Sequence, residues 1–349
     1  MDIVLEVLDT FLFDYLYAAV LPTPASGLIS QVSNVLNGNN STLANGNGYA
    51  YSPSTKYFSL EPSKYAYMSS LPRDNMYRQA ITLYLMTWIF GLIIYFIFAT
   101  LSYVFIFDKA TFNHPKYLKN QIRLEIKQTM QAMPVMATIT VPFFLTEVRG
   151  YGKMYDSFDD APFPMYNYLQ FPLFILFTDF WIYWIHRGLH HPLIYKRLHK
   201  PHHKWIMPTP YASHAFHPLD GWSQSVPYHL FPFIFPLQKF AYVFLFVFIN
   251  FWTILIHDGE YVANSPIING AACHTYHHLF FSCNFGQYTT LWDRLGGSYR
   301  QPDADLFRRE TKMGKEQWKK QAKEMEKIVK EVEGEDDRTY DEAETKKTL

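Results

Sequence analysis

The chain contains 349 residues, of which 49% are hydrophobic and 18% aromatic, and its 31 basic and 31 acidic residues give a formal net charge of zero. A neutral chain has no long-range attraction for nucleic acid, and no RNA- or DNA-binding motif is present, so a nucleic-acid partner is excluded. Two cysteines, Cys273 and Cys283, cannot form a disulfide framework and favour a reducing compartment.

The N-terminal segment, "MDIVLEVLDTFLFDYLYAAVLP", is apolar but lacks the basic start of a secretion signal. Its charged residues are all acidic: Asp2, Glu6, Asp9 and Asp14. This pattern predicts an acidic amphipathic helix that lies at the membrane interface or against the protein. Residues 23–60 are rich in Ser, Asn and Gly, and we expect a weakly ordered linker there.

Two apolar blocks follow the linker. From Ile81 to Phe107 the sequence carries no charge, and a bilayer-spanning helix needs only about 20 such residues. The block from Met130 to Val148 is a weaker candidate because Pro134 and Pro142 interrupt it. We therefore predict two membrane segments here, the second of them broken by its prolines.

Two further apolar regions adjoin the histidines of the chain. Residues 166–185 contain Asp179 near their end and lead directly into the first histidines. Residues 226–256 are long enough to cross a bilayer once, or to enter and return as two short helices broken at prolines. If the histidines before and after this region form one site, both sets must lie on the same side of the membrane, so the region must be a hairpin.

The charged residues predict the orientation of the chain. Lys346 and Lys347 match the dilysine signal that returns membrane proteins to the endoplasmic reticulum and is read in the cytoplasm. Positive charge also favours the cytoplasmic side. It is concentrated in two loops: Lys109, Lys116, Lys119, Arg123 and Lys127 in one, and Arg187, Lys196, Arg197, Lys200 and Lys204 in the other. The histidine face and the C-terminus are therefore predicted to be cytoplasmic and the N-terminus lumenal.

Beyond Tyr299 the sequence becomes strongly charged. Apolar residues recur there at spacings of four and three: Trp318, Ala322, Met325, Val329 and Val332. This period places them on one face of a helix. We interpret the helix as packed against the cytoplasmic body, with a docking surface for a partner as the alternative.

Thirteen of the fourteen histidines lie between residues 186 and 278. Three groups have the spacing of metal ligands: His186 and His190; His199, His202 and His203; and His274, His277 and His278. On a helix, residues three and four apart share one face, so each group can aim its rings at one point. Pro201 suits a first helical turn, which places His199 at the start of a helix with the next two histidines pointing inward.

Eight imidazoles exceed the needs of one metal, since zinc takes about four ligands. They predict two metals, and imidazole suits iron, copper, nickel and zinc alike. His257, at the end of the last apolar region, is a ninth candidate ligand, and its neighbours Asp258 and Glu260 either orient imidazoles or bind metal themselves. His214 and His217 are either partners of the ligands or further ligands. The histidines that match no ligand spacing are His114, His191 and His229.

One HxxxH box followed by two HxxHH boxes, interleaved with apolar spans, resembles the membrane fatty acid hydroxylase and sterol desaturase superfamily. The text around the boxes, such as "HKPHHKWIMPTPYASHAFHPLDGW" and "ACHTYHHLFFSCNFGQYTTLWDRLGGSYR", resembles fungal sterol C-5 desaturases more narrowly. The likeness covers most of the chain and is weakest in residues 23–70. No departure from the family pattern occurs within the three boxes.

The resemblance implies a non-haem di-iron oxidoreductase of ergosterol biosynthesis. The eight histidines of the three boxes are then its catalytic residues, and these eight with His257 are its candidate metal ligands. The enzyme would introduce the C5–C6 double bond into a Δ7-sterol such as episterol, with dioxygen as oxidant and electrons from NADPH through a reductase and cytochrome b5. The residues agree with this chemistry. Hydrogen removal from an unactivated ring carbon needs an oxidised metal site, and the absence of a Gly-rich dinucleotide motif requires an external electron donor.

The predicted fold is all-α and multi-pass, with about four membrane segments under a cytoplasmic helical cap that holds the di-metal site. Residues 1–78 form the N-terminal helix and linker, residues 79–300 the membrane-embedded catalytic domain of the fatty acid hydroxylase type, and residues 301–349 a charged cytoplasmic tail. The expected location is the membrane of the endoplasmic reticulum, with a sterol dissolved in the bilayer as the substrate.

Two other functions fit parts of the pattern. A hydroxylase of the same superfamily, acting on a sterol methyl group or a lipid chain, would carry the same boxes. A transporter of zinc or another metal belongs to a different class, but its histidine-rich loops tend to be polar and repetitive. Here the histidines lie among Trp, Tyr, Phe, Pro and Gly. Analysis of the sterol products distinguishes the hydroxylase from the desaturase. The iron and zinc content of the purified protein distinguishes the metal transporter from the desaturase.

Overall fold

The structure, a computed structural model, describes residues 1–24, 47–259, 265–303 and 314–338. Regular secondary structure in these residues is helical apart from a short parallel ladder between β1 (Met154–Tyr155) and β2 (Leu237–Gln238). The helical part of the predicted fold is thereby confirmed. The chain divides into two compact units. The first comprises Met1–Ile89, Ala137–Asn167 and Pro232–Val243, and the second comprises Phe90–Met136, Tyr168–Phe231 and Phe244–Leu349.

In the first unit, the N-terminal segment forms α1 (Asp2–Leu8), a π-helical turn and α2 (Asp14–Val20). Two of its acidic side chains face the protein, because Arg78 Nη2 lies 2.8 Å from Asp9 Oδ1 and 2.6 Å from Asp14 Oδ1. All three side chains are buried, and buried charges require partners of this kind. The N-terminal segment therefore lies against the protein, which is one of its two predicted locations.

The second half of the predicted linker is fastened by hydrogen bonds. The Ser54 backbone N–H donates to Glu6 Oε2 at 2.8 Å, and the Thr55 hydroxyl donates to Asp156 Oδ1 at 2.7 Å. These bonds tie the described residues 47–60 to the first unit, so the prediction of weak order was wrong for them. Residues 25–46 lie outside the described part of the chain.

In the described part of the chain, three helices are long and apolar enough to cross a membrane: α3 (Met76–Phe105), α4 (Gln121–Val148) and α5 (Tyr166–Leu189). They coincide with the first three predicted apolar blocks. α4 runs without a break through Pro134 and Pro142, so the predicted interruption was wrong. Membrane helices tolerate proline where neighbouring groups satisfy the backbone carbonyl that the proline leaves free.

The chain after α5 forms two short helices, α6 (Pro192–Leu198) and α7 (Lys200–His203). The last apolar region then forms α8 (Pro218–Ile234) and α9 (Lys239–Leu255). Two helices in place of one continuous span are what the hairpin prediction requires. α9 is apolar but has only 17 residues, so the number of four membrane segments stays a prediction.

The remaining described α-helices lie in the second unit: α10 (Ala271–Phe280), α11 (Leu291–Leu295) and α12 (Lys315–Val332). α12 packs against the body of this unit, as predicted. Its Met325 and Val329 are buried in one hydrophobic cluster with Tyr195, Ile206 and Phe280. The burial of about one side chain per turn on this face explains why a strongly charged sequence forms an ordered helix.

Candidate metal centre

The candidate ligands all lie in the second unit. They are carried by the end of α5 and the residue after it (His186, His190), the N-cap and body of α7 (His199, His202, His203), the segment after α9 (His257) and α10 (His274, His277, His278). Pro201 occupies the first turn of α7, directly after the N-cap region, as predicted. Short helices separated by turns therefore present imidazoles from four parts of the chain.

The nine imidazoles gather into two groups, within each of which the ligand atoms lie no more than 4.8 Å apart. The five-histidine group contains His186, His190, His199, His203 and His277, and the four-histidine group contains His202, His257, His274 and His278. Among the described residues no other cluster of His, Cys, Asp and Glu has this geometry. The fold thus brings every predicted ligand into one of two sites that can each hold a metal ion.

Each HxxHH box is divided between the two groups. His203 belongs to the five-histidine group while the adjacent His202 belongs to the other, and His277 and His278 are separated in the same way. The prediction that each box aims at a single point was therefore wrong. Successive residues of a helix point about 100° apart, so adjacent histidines cannot share one ion. A box with this spacing links two neighbouring sites.

Distances between Nε2 atoms fit one ion in each group. His203 Nε2 and His277 Nε2 are 3.0 Å apart in the five-histidine group, and His257 Nε2 and His274 Nε2 are 2.9 Å apart in the four-histidine group. Two nitrogens that each lie about 2.1 Å from an ion, at a right angle, are about 3.0 Å from one another. The separations are those of ligands around a shared metal.

Hydrogen bonds at Nδ1 determine which ring nitrogen carries the proton. His186 Nδ1 lies 2.9 Å from the carbonyl oxygen of Phe285, and His199 Nδ1 lies 2.8 Å from Asp220 Oδ2. Because these oxygens accept, both Nδ1 atoms donate and both Nε2 atoms present a lone pair. The two Nε2 atoms face each other at 3.1 Å. A cation relieves the repulsion between such lone pairs, so these residues fit a metal ion.

Burial lowers the pKa of most imidazoles of the site. Desolvation is the main cause that lowers the pKa of His277 to about 3 and that of His257 to about 4. Desolvation and the neighbouring rings also hold the pKa well below its usual value in His202, His203, His274 and His278. A lowered pKa leaves the ring unprotonated at neutral pH, which is the form that binds metal.

The loop after α10 carries the Phe285 carbonyl, which accepts the hydrogen bond from His186 Nδ1. Two buried carboxylates hold this loop. Asp293 accepts hydrogen bonds from the backbone N–H groups of Phe285 and of the next residue, each at 2.8 Å. Asp179, in α5, accepts from the N–H groups of residues 287 and 288 at 2.9 Å and 2.7 Å. The position of the Phe285 carbonyl therefore depends on these two side chains.

Sequence reasoning missed these supporting carboxylates. Asp220 and Asp293 have no spacing relation to the boxes, and only the fold brings them to the site. Asp179 was visible as the one charge in its apolar block, and a buried charge inside a membrane segment is a signal that could have identified it.

The other candidates have different partners. His214 is buried with its Nε2 3.2 Å from Asn250 Oδ1, and His217 accepts from a backbone N–H in its own turn. The His114 ring packs edge-on against Trp318, with centroids 5.5 Å apart. The described candidates outside both groups are His114, His191, His214, His217, His229 and Asp258, and Glu260 lies outside the described residues. The alternative in which His214 and His217 are further ligands is not supported.

Comparisons with known proteins agree with this geometry. The family model described as fatty acid hydroxylase matches residues 171–298, which contain the nine candidate ligands. A Δ(7)-sterol 5(6)-desaturase of Aspergillus fumigatus is 67% identical and a probable Δ(7)-sterol 5(6)-desaturase of Neurospora crassa 64% identical, each with 100% of both chains covered. A Δ(7)-sterol 5(6)-desaturase of Candida albicans is 48% identical, with 97% of this chain and 99% of the relative covered. No solved structure matches the chain.

The matched length reaches well beyond the histidine boxes. It includes the N-terminal segment, the three apolar helices and α12, because the Aspergillus and Neurospora relatives align along the whole chain. The resemblance that was read from the boxes and their flanking text is thereby confirmed. The chain belongs to the family of Δ(7)-sterol 5(6)-desaturases, within the fatty acid hydroxylases.

Proposed function

We propose that this membrane protein introduces the C5–C6 double bond into a Δ7-sterol, episterol or a close relative, in ergosterol biosynthesis. The observation that carries the proposal is the convergence of nine imidazoles into two groups, in a chain that matches Δ(7)-sterol 5(6)-desaturases along its full length. The reaction removes hydrogen from two adjacent ring carbons, which acid–base side chains do not achieve without an oxidising cofactor.

Two iron ions are the proposed occupants, one in each group. Imidazole suits iron, and five nitrogen donors exceed the number of about four that zinc takes. When bound, iron supplies the activation of dioxygen, whose reduction to water consumes the two hydrogens of the sterol together with two electrons and two protons. The donor electrons are proposed to come from NADPH through a reductase and cytochrome b5, since the sequence has no dinucleotide-binding motif.

The residues of the chain orient the imidazoles and keep water out. Asp220 and the Phe285 carbonyl hold the protons of His199 and His186 on Nδ1, which directs the Nε2 lone pairs inward. The most enclosed rings, with no exposed surface, are those of His199, His203, His277 and His278. Exclusion of water prevents side reactions of an oxidising site with solvent.

We place the protein in the endoplasmic reticulum membrane, with the histidine site and the C-terminus facing the cytoplasm. The three apolar helices and the basic loops support this placement. A cytoplasmic site is accessible to a soluble or membrane-anchored electron donor. The proposed division into residues 1–78, 79–300 and 301–349 assigns the metal centre to the middle domain.

The proposed activity predicts a specific change in cellular sterols. Cells that lack this protein are expected to accumulate Δ7-sterols without a 5,6 double bond, and the intact chain is expected to restore the 5,7-diene. Gas chromatography with mass spectrometry measures both. Accumulation of C-4 methyl sterols would instead support the hydroxylase, and an unchanged sterol profile would contradict a role in this pathway.

A cavity of about 370 Å³ in the second unit is the proposed approach for the sterol rings. Its lining includes Leu124, Trp205 and Phe216. The Phe216 ring reaches the metal centre, because its centroid is 5.7 Å from that of His202. The rest of the lining includes the polar side chains of Lys127, Gln128 and Lys204. The apolar part, which ends at a candidate ligand, suits a substrate whose reacting carbons lie in a hydrocarbon ring.

Gly221 determines where the Phe216 ring lies, because a Cβ atom at residue 221 would overlap that ring. Gly221→Ala is therefore expected to displace Phe216 and to lower kcat/KM for the sterol about tenfold, since small shifts at a reacting centre have large effects. Gly188→Ala is the matched control, as a Cβ there meets nothing within 4 Å. Activity equal to that of the control would contradict the approach. If Gly221→Ala loses metal, the substitution acts through the neighbouring Asp220 and not through Phe216.

A further inference from the structure

The chain beyond α12 returns to the metal centre through two buried side chains, Glu333 and Arg338. α12 ends at Val332, and Gly334, with a φ of +91°, terminates the helix. The Arg338 guanidinium then donates to both carboxylate oxygens of Glu333, at 2.9 Å and 3.0 Å. Neither side chain is more than 1% exposed. We call this bidentate ion pair the clasp.

The clasp contacts the histidine-bearing segment directly. Arg338 Nη2 donates to the backbone carbonyl of His203 at 3.1 Å, and the Tyr195 hydroxyl donates to Glu333 Oε1 at 2.9 Å. Lys200 Nζ lies 3.2 Å from Glu333 Oε2. Three polar contacts thus join the clasp to α6 and α7, the two short helices that surround the middle histidine box.

Tyr195 extends this contact to the imidazoles. Its ring centroid lies 5.4 Å from that of His190 and 5.8 Å from that of His203, and the Phe281 ring contacts it edge-on at 6.0 Å. The Tyr195 side chain is 1% exposed. With its hydroxyl fixed by Glu333 and its side chain buried, the ring limits the movement of two members of the five-histidine group.

A purely stabilising role does not account for the clasp. Buried ion pairs are often no more stable than apolar residues of similar volume, because both charges lose their hydration. The contacts of this pair are instead directed at groups whose position matters, a ligand's own carbonyl and a tyrosine that covers two ligands. Partners of this kind orient metal ligands, and their loss typically lowers metal affinity about 10- to 100-fold.

We propose that Glu333 and Arg338 are positioning residues of the metal centre, which hold His190 and His203 in place for the ion of the five-histidine group. The inference rests on the proposed function only in that this group holds a metal. It makes the residues after α12 part of the catalytic unit, although Arg338 is 135 positions from the ligand whose carbonyl it contacts.

The test measures the release of metal from the purified full-length protein. Protein loaded with Fe(II) is mixed with a ferrous chelator, and the rate of iron transfer is followed by absorbance. The variants are Arg338→Ala, Arg338→Lys, Glu333→Gln and Tyr195→Phe. Glu326→Gln is the matched control, because it removes another ion pair of α12, to Lys116 at 2.9 Å, without touching the histidine segment. Thermal unfolding of each variant is recorded in parallel.

We expect iron to leave Arg338→Ala and Glu333→Gln about tenfold faster than the wild-type protein, while Glu326→Gln stays within about twofold. One of the two ions should be affected more than the other. Arg338→Lys should release iron at an intermediate rate, because a lysine cannot contact Glu333 with two nitrogens and also reach the His203 carbonyl. Tyr195→Phe, which removes one hydroxyl, should fold normally and still release iron several-fold faster.

Wild-type release rates in Arg338→Ala, Glu333→Gln and Tyr195→Phe would overturn the proposal, whatever their thermal stability. If Arg338→Ala does not fold, Arg338→Lys and Tyr195→Phe decide the outcome on the same readout. The measurement is independent of sterol chemistry. If iron release depends on the clasp but loss of the protein leaves cellular sterols unchanged, the proposed function is refuted and the clasp proposal stands. If cellular sterols change but iron release does not depend on the clasp, the clasp proposal is refuted and the proposed function stands.

Discussion

Replacing His190 with alanine is expected to lower desaturation at least about 100-fold, whereas replacing the adjacent His191 should leave most of the activity. His190 Nε2 lies 3.2 Å from His203 Nε2 and 3.3 Å from His277 Nε2, inside the five-histidine group. His191 is exposed, and its ring caps the N-terminus of α6, an interaction whose loss costs about 1 kcal/mol. The two variants therefore differ in metal binding more than in folding. Complementation of cells that lack the protein, with quantified 5,7-diene sterols, measures the difference.

The same series tests how the boxes are shared. Loss of His203 and His277 together should remove one metal, because both belong to the five-histidine group. Loss of the adjacent His202 and His203 should affect both metals, because these residues belong to different groups. Metal analysis of the purified variants gives the stoichiometry. Equal metal loss in the two double variants would contradict the division, and inactivation by His114→Ala as complete as that by His277→Ala would contradict the assignment of ligands.

The spacing of the histidines was sufficient to find the ligands but not to pair them. Intervals of three and four predict a shared helical face, and His186 with His190 and His199 with His203 do fall in one group. The middle histidine of each HxxHH box, His202 or His277, projects away from that face. The group that this histidine joins depends on where the next helix lies, and the spacing of residues within one helix does not carry that information.

The membrane segments were predictable for a related reason. Lipid permits only structures that satisfy their own backbone hydrogen bonds, so an uncharged run such as residues 81–107 has few alternatives to a helix. The prolines of α4 were misleading because their effect in water was applied to a membrane helix. The hairpin predicted for residues 226–256 followed from chemistry instead, since His257 and the earlier histidines had to reach the same site.

The supporting residues were beyond the reach of the sequence. Asp220 reaches His199, and Arg338 reaches the His203 carbonyl, through packing between elements that are not neighbours in the chain. A single aspartate or arginine has no period, and its partner is set by tertiary structure alone. Residues that orient ligands are therefore harder to predict than the ligands themselves, although their loss weakens metal binding about 10- to 100-fold.

Asp179 illustrates this dependence most clearly, and its replacement with alanine is expected to destabilise the protein severely. The carboxylate accepts from the backbone N–H groups of residues 287, 288 and 289 at 2.9, 2.7 and 3.2 Å, and from the Thr289 hydroxyl at 2.5 Å. Asp179→Ala leaves these donors without their acceptor at a position that is 1% exposed. Each unsatisfied buried group costs about 1–3 kcal/mol, so the total exceeds about 3 kcal/mol.

Graded substitutions distinguish the loss of hydrogen bonds from a general disturbance of α5. Thr289→Val removes one donor and should cost about 1 kcal/mol, and Asp179→Asn, which keeps one accepting oxygen, should fall between the two. Thermal unfolding in detergent measures the order of stability of the three variants. Because the same loop carries the Phe285 carbonyl that fixes the His186 proton, metal should be lost in that order as well. If Asp179→Ala melted like the wild-type protein and kept its metal, the buried carboxylate would not hold this loop, and the link from α5 to the ligand would have to lie elsewhere.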